Sequence, residues 1–129
     1  MANKILIIDD DIDLVESMAN LLEAKNYSVC VAHNGQDGVQ MARTEKPDLI
    51  LLDVMMTTRD EGFNVARNLS QIPELKGTPV VMVSGVRKEM NLPFQLEPDE
   101  SWLPIREFLE KPIKPETLLN AVQKHIRKG

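Results

Sequence analysis

A chain of 129 residues is long enough for one domain with a real core and too short for two. Its 15 basic and 20 acidic side chains give a formal charge of -5, with no basic stripe, which argues against direct nucleic-acid binding by this segment. The first apolar stretch meets Asp9 too soon to be a signal peptide or a membrane span, and the lone Cys30 cannot form an internal disulfide, so the expected setting is cytoplasmic with no membrane contact.

Ile5 to Ile8 is a continuous apolar run, as expected for a strand covered on both faces. Asp11 is placed to cap the helix that follows, and Ile12, Val15, Met18, Ala19 and Leu22 recur at helical spacing over Asp13 to about Lys25, a stripe expected to lie against a sheet. Tyr27 to Ala32 reads as a second strand, with Cys30 buried between Val29 and Val31. Asn34-Gly35 supplies a turn and a cap before a helix over Gln36 to Thr44, in which Gly38 lowers helical propensity and suggests close packing on the sheet. Pro47-Asp48 breaks the chain ahead of a third strand, Leu49 to Leu52.

Beyond a loop at Thr57 to Asp60, Glu61 to about Gln71 is expected to be helical, ended by Pro73, Gly77 and Pro79. Val80 to Val83 is a fourth strand and Ile105 to Leu109 a weaker fifth. Between them Pro93, Pro98 and Pro104 exclude a long helix, leaving a short helical turn near Arg87 to Asn91 and then a loop carrying Trp102. Pro115 suits the first turn of a last helix, whose buried stripe is Leu118, Leu119, Val122 and Ile126.

Strands alternating with helices require a mostly parallel sheet with right-handed crossovers: an α/β, doubly wound fold of five strands with helices on both faces. Ligands of such sheets gather beyond the C-terminal strand ends. That rim receives Asp9 and Asp10 after the first strand, Asp53 after the third, Ser84 after the fourth and Lys111 after the fifth. Oxygen ligands of this kind suit a hard divalent ion such as Mg²⁺, with Asp10 and Asp53 as direct ligands, Asp9 acting through water and the Met55 carbonyl completing the set. A carboxylate can also attack phosphorus to give an aspartyl-phosphate; Asp53 is the expected nucleophile, with Lys111 and Ser84 stabilising the transferring group. Singly, each of these residues is equally readable as a cap, a turn or a surface lysine; the ordered set carries the argument.

Taken together, Ile-Ile-Asp9-Asp10, Leu-Leu-Asp53-Val-Met-Met, Ser84 and Phe108 with Lys111-Pro112 resemble the receiver domain of bacterial two-component response regulators, over essentially the whole of residues 1–129. The resemblance implies a flavodoxin-like sheet of strand order 2-1-3-4-5. It also implies a cycle in which a sensor histidine kinase or histidine phosphotransfer protein phosphorylates Asp53 in a Mg²⁺-dependent step and the domain slowly hydrolyses its own phosphate. Ser84 becomes the switch hydroxyl, Phe108 the switch aromatic and Lys111 the essential lysine, remodelling a face read by a downstream effector protein or an output domain. No output domain follows within this chain.

The chain departs from the family pattern in having Thr57 where proline is frequent, in reaching Gly62 one residue late, and in a longer segment between Ser84 and Lys111. A phosphorylation-independent pseudo-receiver, acting only as a protein-binding module, is the competing reading. A flavodoxin-like electron carrier is disfavoured because Asp9-Asp10-Asp11 would repel a cofactor phosphate. An aspartyl-phosphate phosphohydrolase would need a second acid–base aspartate where Met55 stands; Met55 and Val86, flanking the site, are expected to slow attack by water.

Overall fold

The computed structural model describes residues 3–53, 68–69, 71–75, 78–84, 105–110 and 113–126. Five parallel strands, β1 (Lys4–Ile8), β2 (Ser28–Ala32), β3 (Leu49–Asp53), β4 (Val80–Ser84) and β5 (Ile105–Glu110), form one sheet in the order β2-β1-β3-β4-β5. Three described helices flank it: α1 (Ile12–Ala24), α2 (Gly35–Glu45) and α3 (Pro115–His125), with a single 3₁₀ turn at Pro73–Leu75.

The continuous apolar runs arise because the sheet is covered twice. Leu6, Ile8, Ile50, Leu52, Val80 and Met82 face Ala42 of α2, Leu69 and Leu75. The alternating set Ile5, Ile7, Leu49, Leu51, Val81 and Val83 faces Val15, Met18 and Leu22 of α1 and Leu118, Ala121 and Val122 of α3. The central strands β1, β3 and β4 therefore bury both of their faces, as parallel strands in a layered α/β domain do. All five residues of β3 are buried.

Local chemistry fixes the helix ends. Asp11 caps α1, its Oδ1 accepting from the Leu14 N–H at 3.1 Å, and Asn34 caps α2, its Oδ1 accepting from the Asp37 N–H at 2.8 Å. Lys46 closes α2 in the left-handed region with φ 49°. Pro115 opens α3, where its missing N–H is no loss. A methyl group added at Gly38 would meet the Ile8 side chain at 2.6 to 2.9 Å, so this helical glycine is where α2 presses on the end of β1.

Several sequence expectations need correction. Ile12 opens α1 but is 63% exposed rather than part of the buried stripe. It is the first residue of α1, directly after the capping Asp11 and four residues beyond the end of β1. Cys30 is half-buried, because β2 is an edge strand; its Sγ–H points to the Ile5 carbonyl at 3.7 Å. The second strand starts at Ser28, one residue after Tyr27, and the third runs on to include Asp53. Of the helix expected over Glu61 to Gln71, Asn68 and Leu69 are helical, Gln71 is already a turn, and residues 61–67 lie outside the described residues, as does the segment 85–104.

Candidate metal and phosphoacceptor site

Strand register sets the height of each rim residue. Ile8 pairs with Leu52, so Asp9 and Asp53 follow at the same level on adjacent strands. Asp53 pairs with Val83, which puts Ser84 one step further along β4. Ser84 in turn pairs with Glu110, the last residue of β5. From Asp9 and Asp53 to Ser84 the candidate residues thus rise by one step. Between Val80 and Val81 the β4–β5 ladder skips from Ile105 to Glu107, and this slip places Phe108 opposite Met82.

The loop from β1 to α1 is tied down on several sides. The Asp9 N–H donates to the Ala32 carbonyl at 3.0 Å, extending the β1–β2 ladder by one rung. The Asp9 carboxylate accepts from the Asp11 N–H at 2.9 Å, and the Asp9 carbonyl lies 3.3 Å from His33 Nδ1. Asp9 and Asp53 are 1% and 3% exposed, while Asp10 is exposed. One carboxylate oxygen from each of the three lies within 4.8 Å of the others.

Three carboxylate oxygens at this separation fit a hard divalent ion. The oxygens around Mg²⁺, bound at about 2.0–2.1 Å in an octahedron, stand roughly 3 to 4 Å apart, so a small contraction or one bridging water brings all three into reach. Two of the donors are almost wholly removed from bulk water, where mutual repulsion is weakly screened and a cation relieves it.

Asp9, Asp10 and Asp53 are therefore brought together as expected, and Ser84 ends the neighbouring strand. Met55 and Lys111 lie outside the described residues. His33 escaped the sequence reading. Its contact with Asp9 follows from the β1–β2 register, and no spacing in the sequence announces it.

A parallel, doubly wound sheet with an acidic pocket at its C-terminal rim defines the class of α/β domains that bind a divalent ion beyond their strand ends. Comparison with known proteins then resolves the family. The response regulator receiver domain family model matches residues 5–123. Protein PilH of Pseudomonas aeruginosa is 34% identical over 122 residues, covering 92% of this chain and 93% of PilH. The alkaline phosphatase synthesis transcriptional regulatory protein PhoP of Bacillus subtilis is 32% identical over 129 residues, and the chain spans 50% of PhoP's length. The chemotaxis protein CheY4 of Vibrio cholerae superposes with a TM-score of 0.80 at 25% identity, over 98% of this chain and 100% of that one.

The chain belongs to the response regulator receiver domain family. It is a phosphorylation-dependent signalling module, and Asp9, Asp10 and Asp53 form the acidic pocket that holds Mg²⁺ during phosphotransfer. As a family member it works with a histidine kinase or histidine phosphotransfer system. Among the described residues, no helix is long and apolar enough to cross a membrane.

Proposed function

We propose that Asp53 is the single phosphoacceptor and that the domain works in the cytoplasm as a switch for a downstream effector protein or an attached output domain. The observation that carries this reading is the burial of Asp53 at the end of β3, level with Asp9 and within 4.8 Å of its ligating partners. In the transfer step a carboxylate oxygen of Asp53 forms a bond to phosphorus as the P–N bond to the donor imidazole breaks, and the imidazole leaves with a proton. A Mg²⁺ ion held by Asp9, Asp10 and Asp53 would supply positive charge to the transferring group. The strand positions the nucleophile in advance, so little reorganisation is needed as charge shifts.

Ser84, one rung above the level of Asp53, is assigned to hydrogen-bond the transferred group, and Lys111 to neutralise one of its oxygens. Phe108, on the strand paired with β4, is assigned to carry the change to the partner surface. The Met55 carbonyl is assigned as a further metal ligand.

Intact-mass measurement with a small phosphodonor and Mg²⁺ tests this. The native chain should gain one phosphoryl group, and Asp53→Asn, or a chelator, should abolish the gain. Undiminished labelling of Asp53→Asn refutes the assignment; no labelling of the native chain supports the pseudo-receiver reading instead.

A further inference from the structure

His33 stands one residue beyond β2, on the same rim as the acidic pocket, and its Nδ1 lies 3.3 Å from the Asp9 carbonyl oxygen. A carbonyl can only accept, so the contact requires a proton on Nδ1. That carbonyl belongs to the peptide joining Asp9 to Asp10. The peptide is planar, so its orientation sets ψ of Asp9 and φ of Asp10 together. Those two angles decide how the side chains of two adjacent ligands point relative to each other.

The rest of Asp9 is already held: its N–H by the Ala32 carbonyl at 3.0 Å and its carboxylate by the Asp11 N–H at 2.9 Å. The His33 ring adds a tie at the carbonyl. The ring is exposed, so this hydrogen bond competes with water and adds little to global stability. Its effect falls on geometry. From this we infer that His33 is a positioning residue for the divalent ion, locking the Asp9–Asp10 peptide so that both carboxylates converge on it.

The inference rests on the assignment of Asp9, Asp10 and Asp53 as the Mg²⁺ pocket, and the experiment separates the two. Mg²⁺ is titrated at pH 8 into the native chain, His33→Leu, His33→Asn and Asp10→Asn, followed by calorimetry and by the amide resonances of Asp9 to Asp11. No phosphoryl transfer is involved in either readout. His33→Leu should bind Mg²⁺ about 3- to 10-fold more weakly, at or below the lower end of what loss of an outer-shell partner to a metal ligand costs. His33→Asn should recover most of the affinity, because its side-chain amide N–H sits about as far from the backbone as Nδ1. Urea unfolding of both variants without Mg²⁺ should lie close to native.

Equal affinity for native and His33→Leu overturns the inference and leaves the pocket assignment standing. Equal weakening in His33→Leu and His33→Asn also overturns it, since the donor would then not be the cause. If the native chain shows no Mg²⁺ response, or Asp10→Asn binds as well as native, the pocket assignment fails and the inference falls with it.

Discussion

At the N-terminal end of the sheet, Lys4 Nζ donates to Glu45 Oε1 at 2.8 Å, the Lys4 N–H donates to Asp48 Oδ2 at 2.9 Å, and the Glu45 carboxylate holds the Lys4 ammonium above its ordinary value. At the C-terminal end three carboxylates crowd within 4.8 Å, two of them buried. One end ties the start of β1 to the α2–β3 connection through opposite charges; the other stores like charges where a cation is to be bound. Ionised carboxylates this close repel one another, and a bound cation relieves that repulsion. The contrast teaches that stability and function have been assigned to opposite ends of the same strands.

That contrast breaks most readily with Mg²⁺. A free concentration 100 times Kd should raise the native chain's unfolding free energy by about 2.7 kcal/mol. Asp10→Asn should slightly stabilise the metal-free protein through relief of repulsion while losing most of the Mg²⁺ increment. Urea unfolding with and without Mg²⁺ measures both. Stability of the metal-free Asp10→Asn protein at or below native would show that the rim is not under electrostatic strain.

Next in size is Gly38→Ala. The added methyl meets three atoms of a β-branched side chain, Ile8, which turns poorly about χ1 and lies directly before Asp9. Overpacking of about 1–3 kcal/mol should outweigh the gain of about 1 kcal/mol in helix propensity, giving net destabilisation. An unfolding midpoint above native would count against close packing there.

At the opposite end, Lys4→Ala should cost little, since the pair with Glu45 is a third or more exposed, and 1 M salt should erase the difference. A cost that survives 1 M salt would show that this end is not held by a surface ion pair.

The smallest effect concerns Cys30. Burial pushes its thiol above the ordinary value of 9.0. The native state therefore keeps the proton to higher pH than the unfolded chain does. The resulting stability is complete below the unfolded value and is lost as pH rises through the native one. Unfolding midpoints between pH 8 and 10 should fall more for the native chain than for Cys30→Ala; parallel curves would remove the effect.

Much of this arrangement is legible in the residues. Unbroken apolar runs mark β1, β3 and β4 because both faces of each are covered, and Asp11, Asn34 and Pro115 announce helix starts by their own backbone chemistry. Residues directly after such strands must meet at one rim, which is why Asp9, Asp10 and Asp53 were readable as a cluster. Periodicity misjudged Ile12 because it reports which side of a helix a residue occupies, not whether another element covers it. It misjudged Cys30 because edge position depends on strand order. His33 was invisible for a related reason: its partner is fixed by inter-strand register, and no local pattern encodes that.

The slip in the β4–β5 ladder has a consequence for insertions and deletions. Val80 pairs with Ile105 and Val81 with Glu107, so Arg106 is the supernumerary residue in that pairing. A chain lacking Arg106 keeps Phe108 opposite Met82, Leu109 opposite Val83 and Glu110 opposite Ser84. Removing Phe108 instead shifts Leu109 and Glu110 by one rung, turning the buried Leu109 to the other face and taking Glu110 away from Ser84. The deletion of Arg106 is expected to leave phosphoryl acceptance at Asp53 intact by intact mass, and that of Phe108 to abolish it. Two single-codon losses only two residues apart would then have opposite fates, decided by which one the ladder can spare.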